Sequence, residues 1–548
     1  MEGEALRSDD RRATGALIAA GALLRLWQYA GGTSLWVDEI SLVENVLRRP
    51  LGRLLLEPLD FDQVAPPGFL FLVKSAVALL GSSEYALRLF PLLCSLASLG
   101  LFAALARRIL VGWSRLFATG LFAVGVPLFL YAAEVKPYSS DVAASLGMTL
   151  LAFRLIDGVN ARFLRAGLIG FAVVWFSQGA VLVLAGLALA LGLIAGTARQ
   201  PGLWRRLPAT LAPWGVGAVA AAALGIRSMT PPVRVYMDRF WNEAFWPIWP
   251  RSAADVLWLP RTLRGFWGQS LFQYPLSPLY LALMLVGFWA MWRRRRDAAL
   301  LLLGPVAVSL AASAARAYPF SARLLLPLAP AFLIAASEGL ASVAARLRLP
   351  ASAAAGVAAL APLLALASNF PVHLHEEAKP VLAYVAARRR PHDSIYIYFG
   401  GERAFRYYGP RFGLEPDSAF LGACHRDQPR GYLREIDRFR GRPRVWTIFA
   451  HDVPRLQEQA LILGYLSRIG VRREGIAVPS GDPYAVTAEL YDLAIPDRLT
   501  GATAETYPVP PLDEELARRL GCGSGSRPSD EGEPDQGPAA ANADSSSR

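Results

Sequence analysis

The sequence predicts an α-helical polytopic membrane protein with about eleven spans, followed by a soluble α/β domain at its carboxyl end. Of the 548 residues, 54% are hydrophobic and 18% charged, and the mean hydropathy is +0.32. That balance is too apolar for an ordinary soluble enzyme and excludes a disordered chain. Apolar runs recur between short arginine-bearing connectors from about residue 12 to about residue 368, and then the pattern stops.

The spans follow from run length, because a membrane-spanning helix needs about 20 mostly apolar residues. The run 164–197 is too long for one span, and we expect two helices that meet near Trp175-Phe176-Ser177-Gln178. With these two, the total is eleven, with an error of one or two. The other predicted spans lie near 12–30, 86–106, 114–133, 139–157, 208–228, 277–292, 298–315, 321–343 and 351–369.

Orientation follows from the arginines, since short connectors rich in Arg and Lys stay cytoplasmic. Arg11 and Arg12 precede the first span, and later Arg-rich connectors follow even-numbered spans, which predicts a cytoplasmic amino terminus. The pattern requires that 66–82, which opens with two prolines, lies in the outer interface. The alternative is a genuine span over 66–82, which would invert the membrane orientation of every later segment.

This topology places the segments after the odd-numbered spans outside the membrane. The first span is expected to act as an uncleaved signal-anchor. The Arg run 293–296 then anchors topology, so the net charge of +12 does not indicate a nucleic-acid partner. The outer segments are 31–85, 134–138, 229–276, 316–320 and everything after about residue 370.

The chain changes character after the last span, which suggests a membrane domain over 1–369 and an extracytoplasmic α/β domain over 370–522. Strand-like runs at 394–400 and 444–450 alternate with helical ones, and 455–470 has apolar residues at helical spacing. Whether Cys424 and Cys522 pair is left open. The tail 523–548 is rich in Ser, Gly, Pro and acids and is expected to be disordered.

Carboxylates gather in the first outer loop. Asp38 and Glu39 directly follow the first span within LWVDEISLVENVL, and Asp60 and Asp62 lie further along the loop. A carboxylate at the membrane boundary is a candidate general base. The alternative is structural, because acidic residues are favoured at helix amino termini by the helix dipole.

A second set of ionisable side chains lies in the next outer turn, YAAEVKPYSSD. It contains Glu134, Lys136, Tyr138 and Asp141 at a membrane boundary. Ionisable residues at such depth are costly unless they serve a site. Their gathering on one face therefore indicates function more strongly than any single residue does.

These motifs together resemble the GT-C glycosyltransferases of the protein O-mannosyltransferase and aminoarabinose transferase superfamily. The matching residues are Trp36-Val37-Asp38-Glu39, the stretch 66–90, the acidic turn 134–138 and the segment 318–333. The resemblance covers about residues 12–370. It implies transfer of a sugar from a polyprenyl-phosphate carrier to an acceptor outside the membrane, in a bacterial plasma membrane.

The resemblance also implies roles for individual residues. The catalytic acid of the first loop falls on Asp38, with the adjacent Glu39 as a further catalytic candidate, and its companion in the second loop falls on Glu134. The departing lipid phosphate needs cations, for which Arg offers bidentate geometry. Arg323 is the preferred phosphate ligand, although it could instead snorkel. The other expected donor-binding residues are Lys136, Tyr138 and Arg316.

One departure concerns the substrate. Aminoarabinose transferases carry a lysine just before the two prolines, where this chain has Ala65. That puts the aminoarabinose substrate in doubt and leaves Lys136 as a replacement for the lost charge. The sugar and the acceptor glycan, lipid or protein are therefore not assigned.

The outer loop 229–276 is unusually aromatic. Trp241 and Trp246 are candidate acceptor or cavity residues, as are Asp60 and Asp62 of the first loop. Aromatic belts also occur at headgroup depth for structural reasons alone. No cofactor is expected and no metal site is assigned, with a divalent ion held by the loop carboxylates as the alternative.

The sequence thus predicts an inverting membrane glycosyltransferase. The first alternative is a transporter or flippase of lipid-linked sugars without transferase activity. Transporter sites lie near the bilayer midplane in repeated halves. Here we find no internal repeat, and the acids cluster at one surface. A second alternative keeps the fold but has lost activity.

Overall fold

The structure of the chain is a computed structural model. It divides into two compact units, of which the first comprises Met1–Pro380 with Val478–Val486 and the second Val381–Ala477 with Thr487–Arg548. The predicted disordered tail, 523–548, lies outside the described residues. The described residues are 2–158, 162–197, 201–271, 276–370, 372, 374–479, 485–499, 502–510 and 513–522.

The first unit is helical. Single turns of 3-10 helix cover Tyr131–Ala133 and Asn242–Ala244, a longer one covers Ala322–Leu328, and a π-helical turn covers Phe266–Ser270. Its helices are α1 (Glu2–Ala30), α2 (Val37–Arg48), α3 (Leu51–Leu56), α4 (Pro67–Leu80), α5 (Glu84–Ile109), α6 (Trp113–Val124), α7 (Val126–Leu130), α8 (Tyr138–Asp157), α9 (Phe163–Val173), α10 (Gly179–Thr197), α11 (Pro201–Ser228), α12 (Pro231–Phe240), α13 (Ala253–Val256), α14 (Trp258–Gly265), α15 (Ser277–Arg294), α16 (Arg296–Ala314), α17 (Ala329–Leu347) and α18 (Ala351–Ser368).

The protein is a membrane protein by the length and composition of its helices. Within the described residues, 7 helices are long and apolar enough to cross a membrane, or up to 8 if the pair bent by 55° at Gly125 is one span. Helices occupy every position where a span is predicted. The number of eleven crossings stays a prediction.

The long apolar run 164–197 forms two helices, as predicted. The first, α9, ends at Val173, and α10 begins at Gly179. Asp141 of α8 accepts hydrogen bonds from the Ser177 hydroxyl at 2.5 Å and the Gly179 amide at 3.3 Å, which caps α10. With 11 residues, α9 is about 16 Å long, shorter than the ~30 Å of hydrocarbon that a span crosses.

The segment 66–82 contains α4, a helix of 14 residues that begins at the second of two prolines. Its length of about 21 Å is also below the thickness of the hydrocarbon region. Gly81, in a positive-φ conformation of +83°, ends the helix. That α4 lies in the interface stays a prediction.

Two pairs of helices approach each other through glycines. A Cβ atom at Gly339 of α17 would overlap the Leu283 carbonyl of α15, and one at Gly287 would overlap the Ala335 carbonyl. Helices α10 and α16 meet similarly at Gly186. Small residues at such crossings allow backbones to pack closely where lipid supplies no hydrophobic driving force.

The second unit is α/β. Its five-stranded sheet has the order β2-β1-β3-β5-β4, with β1 parallel to β2 and β3, and β3 antiparallel to β5. The strands are β1 (Ser394–Ile397), β2 (Phe420–Leu421), β3 (Val445–Phe449), β4 (Val471–Val478) and β5 (Val486–Asp492). The helices after α18 are α19 (Ala378–Arg388), which begins within the first unit, α20 (Glu402–Tyr408), α21 (Arg430–Asp437), α22 (Glu458–Ile469), α23 (Pro496–Leu499) and α24 (Glu514–Leu520).

The sequence patterns of the second unit match these elements. The runs predicted as strands at 394–400 and 444–450 contain β1 and β3, and the predicted helix 455–470 contains α22. Cys424 and Cys522 form a disulfide with their Cα atoms 5.7 Å apart. The sequence alone left open whether these two cysteines pair.

The close crossing of α15 and α17 makes Gly339→Ala destabilising. We expect a loss of about 1–3 kcal/mol, because overpacking forces the backbones apart. The matched control is Gly356→Ala in α18, where an added Cβ meets nothing within 4 Å. The midpoints of thermal unfolding of the two detergent-solubilised variants test this expectation. Equal midpoints would contradict the close approach of α15 and α17 at Gly339.

Candidate active site

The candidate site is built on the first turn of α2. This helix begins at Val37, so Asp38 and Glu39 both lie in its first turn, where the helix dipole favours carboxylates. Successive helical positions point about 100° apart, so the side chains of Asp38 and Glu39 face different surroundings. Glu39 is fully buried, whereas 29% of the Asp38 side chain is exposed. The two adjacent acids lie in different environments.

Glu39 is held in a buried bidentate ion pair with Arg88 of α5. Arg88 Nη2 donates to Glu39 Oε2 at 2.6 Å, and Arg88 Nε donates to Oε1 at 2.9 Å. Oε1 also accepts from the Val135 amide at 2.8 Å. With its oxygens engaged in this way, Glu39 positions α2 against α5 and the 134–138 turn.

The remaining donors of Arg88 fix the chain before α2. Nη1 donates to the carbonyl and hydroxyl oxygens of Thr33 at 2.9 and 3.0 Å, and Nη2 donates to the Ser34 carbonyl at 3.1 Å. One buried guanidinium thus connects α5 to both ends of the segment 33–39. The position of Asp38 follows from this connection.

Asp38 lies between two cations. Its Oδ2 is 3.1 Å from Arg323 Nη2 and 4.0 Å from Lys136 Nζ. Arg323 lies in the 3-10 segment before α17, and Lys136 lies in the turn before α8. Residues far apart in sequence therefore form one cluster of a carboxylate and two cations.

Aromatic rings enclose Arg323. Its Cζ is 5.8 Å from the centre of the Trp36 ring and 5.7 Å from that of Tyr138. Such contacts attract a guanidinium to the ring faces. Tyr138, predicted to bind the donor, therefore reaches the cluster through Arg323.

Lys136 is a buried ammonium with two polar neighbours. Its Nζ donates to Gln63 Oε1 at 2.8 Å, in addition to its approach to Asp38. Burial lowers the pKa of Lys136, and the nearby Asp38 carboxylate acts in the opposite direction. Gln63, which the sequence analysis did not assign to the site, thus links the first loop to the second.

Glu134 faces a histidine that the sequence analysis missed. His375 Nε2 is 2.7 Å from Glu134 Oε1, and the His375 ring stacks on Trp36 with centroids 5.3 Å apart. Glu134 is 2% exposed. The companion acid of the second loop is therefore joined to the first loop through His375.

The segment after α18 belongs to the site, although the sequence analysis placed it in the soluble domain. Glu377 accepts from the Ser34 amide and hydroxyl at 2.9 and 3.0 Å, and Glu376 accepts from the Val37 amide at 3.2 Å. The available signal was the run HEEAK at 375–379, which puts a histidine and acids just after a predicted span.

Other predicted site residues lie in different contacts. Arg49 pairs with the exposed Asp60 at 2.8 Å, and Asp62 has a positive φ of 56° in the turn that carries Gln63. Arg316 donates to Asn242 of the long 229–276 loop at 3.2 Å. These contacts attach Asp60 to its own loop and Arg316 to the 229–276 loop.

The two predicted tryptophans of the long loop have local partners. Trp241 packs edge-on against Phe240 with centroids 5.0 Å apart. The Trp246 backbone amide donates to Ser313 at 2.9 Å, which ties this loop to the end of α16. Their role toward an acceptor stays a prediction.

The carboxylates of the two loops are dispersed among these partners. Across the described residues, no group of three or more His, Cys, Asp or Glu side chains is arranged to hold a metal ion. The chemistry available in the cluster is that of one carboxylate with an arginine and a lysine.

The buried pair predicts that Glu39→Gln destabilises the protein by about 3–5 kcal/mol, because the Arg88 charge would stay buried without compensation. The control is Glu57→Gln, which breaks an exposed pair with Arg53 and should cost less than about 1 kcal/mol. Unfolding of both solubilised variants tests this. Wild-type stability with transfer abolished would instead make Glu39 a participant in the chemistry.

Comparisons with known proteins give a likeness among solved structures. No family model and no curated protein matches the chain. ArnT from Cupriavidus metallidurans in the apo state is 14% identical, with a TM-score of 0.45 over 90% of this chain and 100% of that chain. The same protein bound to undecaprenyl phosphate is also 14% identical, with a TM-score of 0.46 over 89% of this chain and 100% of that chain. The oligosaccharyltransferase of Archaeoglobus fulgidus, in complex with Zn and sulfate, is 12% identical, with a TM-score of 0.45 over 86% of this chain and 72% of that chain.

Proposed function

We propose that this protein is an inverting membrane glycosyltransferase that moves a sugar from a polyprenyl-phosphate donor to an acceptor outside the cytoplasm. The observation that carries the proposal is the position of Asp38, 3.1 Å from Arg323 and 4.0 Å from Lys136. A base and two cations at a membrane boundary suit the displacement of a lipid-linked phosphate. The resemblance of the loop motifs to GT-C enzymes adds the substrate class.

The chemistry assigns one role to each charged group. An acceptor oxygen attacks the anomeric carbon, the bond from that carbon to the phosphate oxygen breaks, and the acceptor proton passes to the Asp38 carboxylate. The products are the glycosylated acceptor, with inverted configuration, and the free polyprenyl phosphate. The phosphate gains negative charge as it leaves, and fixed cations stabilise that charge best when they are already in place.

Arg323 and Lys136 supply these cations. The planar guanidinium of Arg323 suits two phosphate oxygens, while Lys136 acts as a compact point charge. In the structure both approach Asp38. Donor binding would therefore exchange a carboxylate partner for a phosphate and leave Asp38 available to the acceptor. No step of the proposed reaction uses a metal ion.

We further propose that the protein lies in a bacterial plasma membrane, with a cytoplasmic amino terminus and an extracytoplasmic second unit. The arginine-rich connectors support this orientation. The disulfide between Cys424 and Cys522 supports the location of the second unit, because such bonds persist mainly in oxidising compartments.

The test is transfer of label from radiolabelled polyprenyl-phosphate sugars to endogenous membrane acceptors. We expect Asp38→Asn to lower the rate at least about 100-fold, the typical contribution of a general base, with donor binding intact because the substitution preserves shape. The control is Asp157→Asn at the carboxyl end of α8, the end away from Tyr138, where the carboxylate pairs with the partly exposed Arg108. This variant should keep wild-type transfer.

Two outcomes would contradict the proposal. Unchanged transfer by Asp38→Asn, at matched expression, would remove Asp38 from the chemistry. Absence of transfer from any donor by the wild type, with movement of lipid-linked sugar across reconstituted vesicles, would favour the transporter alternative.

A further inference from the structure

Two buried polar atoms near His375 have no hydrogen-bond partner among the described residues. They are Glu134 Oε2, a hydrogen-bond acceptor, and Trp36 Nε1, a donor. Buried polar groups are nearly always paired, so each such atom calls for an explanation. Both belong to side chains that contact the same histidine ring.

His375 joins these two side chains. Its Nε2 lies 2.7 Å from Glu134 Oε1, which leaves the second oxygen of the carboxylate for another partner. Its ring stacks on that of Trp36 with an interplanar angle of 21°. The acceptor and the donor are thus placed by one intermediate residue.

A hydroxyl group satisfies an acceptor and a donor together, because its O–H donates while its oxygen lone pairs accept. A carboxylate or a phosphate offers acceptors alone, and an ammonium offers donors alone. An acceptor at Glu134 Oε2 and a donor at Trp36 Nε1, on side chains that contact the same histidine, together suit hydroxyl groups. Aromatic surface beside such polar atoms also suits a sugar ring.

We propose that Glu134 Oε2 and Trp36 Nε1 form a subsite for hydroxyl groups of the donor sugar, and that His375 is its positioning residue. The inference rests on the proposed function. It favours the donor sugar over the acceptor because the Trp36 ring also contacts Arg323, with Cζ 5.8 Å from the ring centre. Arg323 is the proposed phosphate ligand, and the donor sugar is attached to that phosphate.

The test compares lipids that differ only in the sugar. Binding of undecaprenyl phosphate, and of undecaprenyl phosphate linked to mannose, glucose or galactose, is measured on the solubilised full-length protein. The wild type should bind at least one sugar-linked lipid more tightly than the bare phosphate. Trp36→Phe and Glu134→Gln should each weaken that binding about tenfold, the value of one good hydrogen bond, without changing affinity for the bare lipid.

Variants of His375 test its positioning role. His375→Gln keeps an N–H that can donate to Glu134 and should retain most of the preference for the sugar-linked lipid. His375→Ala should lose it while binding the bare lipid normally. The matched control is Trp204→Phe in α11, an exposed tryptophan that should behave as the wild type. In transfer assays of His375→Ala, the donor KM should rise more than the acceptor KM.

The outcomes separate the inference from the function on which it rests. If wild type and variants share the same preference for sugar, or the wild type has none, the subsite is wrong while the phosphate site stands. A rise confined to the acceptor KM would assign the subsite to the acceptor and overturn the donor assignment. If the wild type binds none of these lipids, the proposed function itself fails.

Discussion

The buried ion pair of Arg88 and Glu39 is the constraint on which the site depends. A guanidinium and a carboxylate that leave water together lose hydration, and only near-complete hydrogen bonding offsets that cost. Arg88 meets this condition by donating to Glu39, Thr33 and Ser34. Its consequence is local rigidity: Asp38, one residue from Glu39, is held at a fixed place beside the cations.

The two adjacent acids of the site lie in different charge environments. Glu39 is buried with its full complement of partners, whereas Asp38 stays partly exposed beside Arg323 and Lys136. One acid therefore stabilises the loop, and the other is available for chemistry. The HEEAK segment completes the arrangement, since Glu376 and Glu377 bind amides of the same loop.

Much of the fold was predictable from local sequence patterns, whereas the arrangement of the candidate site depended on contacts between residues distant in sequence. Apolar run length located the helices and the break before Gly179, and strand-like runs between helical ones located β1 and β3. The Trp36–Glu39 motif predicts Asp38 as the base, and the structure places Asp38 beside Arg323 and Lys136; its catalytic role stays a prediction. No local pattern could separate the roles of Asp38 and Glu39, because that difference comes from Arg88 on another helix. His375 was missed because its partners lie 241 residues away at Glu134 and in the first loop, a distance across which periodicity carries no information.

A cryo-electron microscopy structure with undecaprenyl phosphate bound would show whether Asp38 shares its two cations with the phosphate of a lipid donor. We expect phosphate oxygens about 3 Å from Arg323 and Lys136, with the Arg323 guanidinium moved away from Asp38. A phosphate bound elsewhere, with the pair of Asp38 and Arg323 unchanged, would contradict it.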